Sequence, residues 1–434
     1  MIIEKLALLG GKPVRKEPLP SYNTIGDVEK KAVMEVLDSG ELSSFVAGPI
    51  DAFWGAGRVK EFENTFKNYF GMKHAVAVNS ATSGLHCAVS AFGVAPGDEV
   101  ITSPYTMSAS ATCILMCGGV PIFADIDPDT FCITPKSVEA NITENTKGIV
   151  AVNIFGIPAD LEGLKKVADK HGLFLIEDNA QAPDANYKGQ KTGTIGDAAV
   201  FSFNRHKTMQ CGEGGIIICN SDKIALKCAM MRNHGEVAVA GMGIDDIVNT
   251  VGVNYRMGEI EAAIAKVQFE KLQELNTPRI EMANYLTEQL KNIDGITPPH
   301  VPKDRSHVYY FYVMKYNEKV VGIPRELFAQ AVQAEGFTMR AGYVKLVYNE
   351  PLYQKKICFG DKGFPFTANS RNDKIIYHKG LCPVAERLQE KEILVTNIIY
   401  PPLGISDMAD FITAIKKVIT NKDTLLNFQG KKVA

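Results

Sequence analysis

A chain of 434 residues is too long for one small domain and suits two or three lobes. With 46% hydrophobic residues and a formal net charge of −2, it has the composition of an ordinary globular protein and no basic excess to attract nucleic acid. No apolar run approaches the roughly 20 residues of a membrane helix, and Met1-Ile2-Ile3-Glu4-Lys5 lacks the basic start and apolar core of a signal peptide, so a cytoplasmic protein is expected. The nine cysteines form no CxxC pair, and Cys113 and Cys117 have no nearby histidine. They read as reduced thiols, and no metal site is expected.

Residues 1–25 contain Leu9-Gly10-Gly11-Lys12-Pro13 and Pro18-Leu19-Pro20, an extended, turn-rich arm. Asp27 then caps a helix with Ala32, Val33, Val36 and Leu37 on one side. Ser39 to Arg58 is glycine-rich and holds the one tryptophan, Trp54. A second helix follows, with Val59, Phe62, Phe66 and Tyr69 on one stripe. From residue 74 to about 220, strands and helices alternate. Short apolar runs at His74–Val78, Glu99–Thr102, Val120–Ala124, Gly148–Asn153, Leu173–Ile176, Ala198–Phe203 and Gly215–Cys219 read as strands buried on both faces. Helices fit between them at Ser83–Phe92, Ser108–Cys117, Pro135–Asn141 and Leu161–His171. That alternation predicts a mostly parallel seven-stranded sheet with helices on both sides. Residues 222–235 read as a helix, and a long helical stretch runs from about Glu259 to Leu290 with a break near Pro278. After Pro298-Pro299 the composition shifts. An aromatic strand, Val308–Val313, and helical patterns at 324–335 and 406–419 describe a smaller α/β lobe. The expected division is an arm over 1–25, a large domain over 26–290 and a small domain over 291–434.

In parallel sheets, ligands bind beyond the carboxyl ends of the strands, and three strand ends here carry chemistry. His74–Val78 runs into Asn79-Ser80-Ala81-Thr82-Ser83-Gly84, where a helix begins. Free backbone N–H groups and small hydroxyls there suit an anion, although simple capping by Ser80 or Thr82 explains them equally well. Leu173–Ile176 runs into Glu177-Asp178-Asn179-Ala180-Gln181. An acid in that place is costly unless paired. A protonated pyridine nitrogen would pair Asp178, as would a helix cap or a salt bridge. Ala198–Phe203 supplies Ser202, and the loop beyond supplies Lys207 ahead of Gly212-Glu213-Gly214-Gly215. A lysine held between two buried strands is desolvated, and its neutral amine can form a Schiff base. Taken alone, the stretch favours the plainer reading of a loop lysine reaching solvent. Together the three strand ends offer a phosphate nest, a carboxylate and an amine, which is what pyridoxal phosphate requires.

On these motifs, with Gly97-Asp98-Glu99-Val100-Ile101 and Gly252-Val253-Asn254-Tyr255-Arg256-Met257, the chain resembles the DegT/DnrJ/EryC1/StrS family of sugar aminotransferases from Leu6 to about Lys417. The Leu-Gly-Gly-Lys-Pro arm and Cys382-Pro383-Val384-Ala385-Glu386 resemble its keto-cyclitol branch, the glutamine:scyllo-inosose aminotransferases. The resemblance implies the fold-type I, aspartate aminotransferase-like architecture, and pyridoxal 5′-phosphate as cofactor. It puts Lys207 at the Schiff-base position and Asp178 at the ring nitrogen. Gln181 falls near the ring oxygen, and Ala81, Thr82 and Ser202 fall around the phosphate. Asn254 takes the position that reaches the neighbouring subunit's cofactor, which implies a homodimer with shared sites. Glu213 is expected to hold the loop after Lys207.

The implied reaction moves an amino group from glutamate or glutamine to a keto sugar or keto-cyclitol. The family's aromatic ring-stacking position holds Met107, whose polarizable sulfur can cover a ring; Tyr105 is the other candidate. His206 precedes Lys207, and a dehydratase branch replaces that lysine with histidine, but Lys207 itself is present. The alternatives are therefore a sugar dehydratase or deoxygenase using the same cofactor, and a non-catalytic sensor with this fold, which would be expected to add a basic DNA-binding module that this sequence lacks. His234 reads as a C-cap contact, with the resemblance adding it as a candidate substrate neighbour. Arg256 and His307 are further candidate substrate contacts.

Overall fold

The computed structural model describes residues 4–433, and side chains through Asn427. Seven strands form the large sheet: β1 His74–Val78, β2 Glu99–Thr102, β3 Val120–Phe123, β4 Thr146–Val152, β5 Phe174–Asp178, β6 Ala198–Ser202 and β7 Gly215–Cys219. Their spatial order is β1-β7-β6-β5-β4-β2-β3. All neighbours are parallel except β7, which runs antiparallel to both β1 and β6. The central strands are buried on both faces, which is why they read as unbroken apolar runs.

One face of the sheet packs Val78, Val150, Ile176 and Val200 against the helices Ala81–Ala91 and Asp222–Arg232. Over β6 and β7 the other face packs Phe201 and Ile216 against Phe62 and Phe66 of the helix Gly57–Phe70. Arg232 and Glu63 form a wholly buried ion pair at 2.7 Å. The same guanidinium donates to the carbonyls of Ala77 and Trp54. That set of bonds pins the glycine-rich loop around Trp54 to the edge of the sheet.

A second, four-stranded antiparallel sheet is built from Ile296–Thr297, Tyr312–Tyr316, Ile393–Thr396 and Arg340–Ala341. Its core includes Phe328 and Phe411 from the helices Arg325–Ala334 and Ile405–Thr420. The N-terminal arm packs here. Leu6 is fully buried in this core, and the buried Glu335 carboxylate accepts the backbone N–H groups of Ala7 and Val14 and pairs with Lys417.

Two elements differ from the sequence reading. The aromatic strand begins at Tyr312, not Val308, because Tyr309 takes a left-handed backbone (φ 50°). The chain before it pairs instead with the loop at Phe155 and Gly156. The break in the long helical stretch falls at Lys271, between helices Glu259–Glu270 and Leu272–Leu290, and Pro278 lies inside the second. The missing N–H of Pro278 leaves one carbonyl, that of Glu274, without its helical donor, and the helix continues past it.

Candidate active site

The carboxyl ends of β1, β5 and β6 meet on one side of the sheet. Beyond β6 the chain makes a tight excursion closed by backbone bonds from Phe203 to Gly214, Arg205 to Gly212 and Cys211 to Phe203. Asn204 Nδ2 donates to Glu213 Oε1 at 2.9 Å and braces the two sides. Lys207 sits at the tip, its N–H bonded to the Asn204 carbonyl. Burial pushes its amine down to about 8, and the nearby Asp178 carboxylate partly offsets this. The amine lies 4.5 Å from the centre of the Tyr310 ring.

Asp178 closes β5 and is buried. Burial raises its carboxyl above the ordinary range; a 2.7 Å bond from Ser110 Oγ, one of 3.1 Å from the Ala180 N–H, and the charge of Lys207 work the other way. The preceding Glu177 is fully buried and accepts N–H groups of Gly193, Ile195 and Gly196 between 2.7 and 3.0 Å. It anchors the segment that β5 runs beside. Gln181 Oε1 accepts the Phe155 N–H at 2.8 Å, and its Nε2 donates to the Tyr343 hydroxyl at 3.2 Å.

At β1, Ser80 is the N-cap of the helix Ala81–Ala91 and accepts from the Ser83 N–H. Thr82 is exposed in the first turn and leaves its hydroxyl to other uses. A Cβ on Gly215 would stand 2.5 Å from the Ala81 nitrogen, so β7 approaches this helix start as only glycine allows. Ser202, at the end of β6, is buried and accepts weakly from the Asn204 N–H at 3.4 Å. A helix N-terminus, a buried carboxylate and an amine of lowered pKa fit what pyridoxal phosphate needs.

Among the remaining candidates, Met107 is 60% exposed, next to the helix that carries Ser110. Tyr105 is fully buried and donates to Gln389 Oε1 at 3.1 Å, so it is held away from any exposed ring face. Asn254, Arg256 and His234 lie together on a separate, open face. Arg256 Nε donates to Asn254 Oδ1 at 2.9 Å, and Asn254 bridges to Asn233. His234 there has a left-handed backbone (φ 53°). His307 is buried and stacked on Tyr309, the ring centres 3.9 Å apart and the planes nearly parallel, and it accepts the Tyr309 N–H. Burial holds its imidazole down to about 3, and it does not line the cleft.

That cleft, of about 1240 Å³, opens between the Lys207 loop and the second sheet. It brings in residues the sequence did not single out: Tyr310, Tyr343, Arg279 and Arg340. Tyr310, Tyr343 and Arg279 are placed by contacts with Lys207, Gln181 and Tyr22, each more than a hundred residues away, which no local pattern announces. Among the described residues no cluster of metal-ligating side chains occurs. No described helix is long and apolar enough to cross a membrane.

A family model, the DegT/DnrJ/EryC1/StrS aminotransferase family, matches residues 24–392. The L-glutamine:2-deoxy-scyllo-inosose aminotransferase of Streptoalloteichus tenebrarius is 34% identical over 433 residues, covering 97% of this chain and 99% of that one. The spore coat polysaccharide biosynthesis protein SpsC of Bacillus subtilis is 33% identical over 409 residues, covering 93% and 97%. Among solved structures, DesI in the presence of its TDP-sugar product superposes with a TM-score of 0.81 at 26% identity, covering 98% of each chain.

Proposed function

The chain belongs to the DegT/DnrJ/EryC1/StrS aminotransferase family, and from that premise we propose that it moves an amino group from glutamate or glutamine to a keto sugar or keto-cyclitol. The observation that carries this reading is the Lys207 amine, lowered to about 8 by burial and facing the Asp178 carboxylate across the ends of β6 and β5. We assign pyridoxal phosphate to this place. Its phosphate would lie at the N–H groups of Ala81 and Thr82 with the Ser202 hydroxyl, its ring nitrogen at Asp178, and its ring oxygen toward Gln181, with Met107 covering a face. Bound there, the cofactor supplies an electron sink for the bond electrons released at the reacting carbon.

The protein's own part is proton handling and orientation. Lys207 Nζ takes the proton from the α-carbon of the donor and, in the second half of the reaction, returns one to the former carbonyl carbon of the acceptor. A pKa of about 8 leaves roughly a tenth of that amine neutral at pH 7, enough to act as a base without a further partner. Asp178 holds the ring-nitrogen proton, and Ser110 keeps that carboxylate ionised and aimed. Tyr343, just beyond the strand Arg340–Ala341 of the second sheet, fixes Gln181.

We infer a homodimer with shared sites. Supporting it, Asn254 is exposed on a face that also shows Val46, Ile50, Val237 and Val251 to solvent. Purified enzyme given labelled glutamate or glutamine and a panel of keto sugars and keto-cyclitols should release one 2-oxo acid per aminated product. Lys207→Ala should release none. A deoxygenated, unaminated product would replace this reading with the dehydratase chemistry.

A further inference from the structure

Seven of the eleven arginines pair with a carboxylate. Three of the other four, Arg205, Arg279 and Arg340, line the cleft in front of Lys207 together with His206. No aspartate or glutamate lines it. Arg279 is the telling member. It is 5% exposed, its Nε has no hydrogen-bond partner, and its guanidinium lies 4.6 Å over the Tyr22 ring. A guanidinium is not neutralised by burial, because its pKa is too high. Burying one without a counter-ion is costly, so the usual arrangement supplies an anion. Arg340, an exposed side chain, lines the same cleft, its guanidinium 5.6 Å from the centre of the Phe311 ring. Two planar forks lining one cleft, each beside an aromatic ring, suit an oxyanion bound through several N–H donors.

We propose that Arg279 and Arg340 form an oxyanion subsite of the cleft, which takes an acidic group, phosphoryl or carboxylate, borne by a substrate. The inference rests on the transaminase reading for the word substrate, but not for the site. Amino donors carry carboxylates and amino acceptors can carry phosphoryl groups, so both sources share the chemistry. The cleft favours the acceptor. Its volume is well above what an amino acid alone would fill, and exceeds the roughly 300–1,000 Å³ of ordinary small-molecule pockets. A neutral free cyclitol would leave the buried Arg279 without a counter-charge. The subsite therefore points to an acceptor with an acidic arm, seated with the arm on Arg279 and Arg340 and the ketone toward Lys207.

The test uses cofactor-loaded enzyme and inorganic pyrophosphate as probe, against sodium chloride of equal ionic strength. Pyrophosphate should raise the melting temperature saturably. R340Q, on an exposed side chain that the fold does not need, should weaken that response about tenfold or more, as expected for a lost charged hydrogen bond. R279K, which keeps the charge but loses the fork, should weaken it as well. Pyrophosphate that leaves glutamate-driven bleaching of the cofactor band unaffected assigns the subsite to the acceptor. Competition with glutamate keeps the subsite and assigns it to the donor carboxylate. No saturable response, or one unchanged in both variants, overturns the proposal. A saturable, arginine-dependent response in an enzyme that no amino donor bleaches would leave the subsite standing and remove the transaminase reading instead.

Discussion

The amine of Lys207 stands 4.5 Å from the centre of the Tyr310 ring. The ring does two opposed things. Its face favours the charged amine by about 0.5–2 kcal/mol, while its bulk keeps water away and favours the neutral one. Burial is the larger effect, since the fall from 10.5 to about 8 corresponds to about 3 kcal/mol. Tyr310→Ala should therefore raise the Lys207 pKa, and Tyr310→Phe should leave it nearly unchanged. The pH dependence of pyridoxal phosphate uptake by the apoprotein reads this directly: its rising limb moves to higher pH in the alanine variant only.

Ser110 spends its hydroxyl on Asp178 at 2.7 Å. Removing it takes away one of the groups that hold the carboxyl down against burial. Ser110→Ala should lower transamination about tenfold, the worth of one hydrogen bond to a charged group. It should also move the acid limb of the rate profile to higher pH, and Ser110→Thr should restore both. Asp178→Asn, which cannot hold the ring-nitrogen proton, should cost roughly 10²-fold or more in turnover with cofactor binding retained.

Gly215 lets β7 pass the start of the helix Ala81–Ala91. A methyl group there would meet the Ala81 nitrogen and the Ser80 carbonyl group at about the same 2.5 Å. Because those atoms are backbone, the helix start has to shift. Gly215→Ala should weaken pyridoxal phosphate binding by about tenfold or more, with a smaller loss in a control titration of thermal stability without cofactor. Unchanged cofactor affinity would argue against the phosphate being held there.

Lys207 also makes stability depend on pH in a defined window. Its folded pKa, about 8, lies below the ordinary 10.5, so between those values the unfolded chain binds the extra proton and stability rises with pH. Below pH 8 the buried charge carries its full cost. Lys207→Met removes it, so the variant apoprotein should be more stable than wild type below pH 8. The difference should shrink as pH rises from 8 toward 10.5. Denaturant unfolding of both apoproteins at three pH values checks the sign.

The sheet was legible because its central strands are buried on both faces, and such strands leave apolar runs in the sequence. The ends of those runs pointed to Ser80, Asp178 and Lys207 for the same reason: polar residues stand out after an apolar strand. Ser110 did not stand out, because a serine in a helix is ordinary until Asp178 is known to face it. Tyr310 sat in an aromatic stretch that reads as strand, and only the left-handed turn at Tyr309 frees the chain before Tyr312 to reach the cleft. His307 shows the opposite failure. A histidine near the site by sequence is stacked away against Tyr309. Arg279 was hidden in a helix pattern, where a buried arginine and a solvated one look alike.

The most direct measurement is the visible absorption spectrum of the purified protein with pyridoxal phosphate, before and after glutamate or glutamine is added. A yellow band that requires Lys207, is missing in Lys207→Ala, and bleaches with one of the two donors is the predicted result. A protein that develops no such band, or whose band survives the loss of Lys207, would contradict the assignment of that residue as the cofactor's anchor.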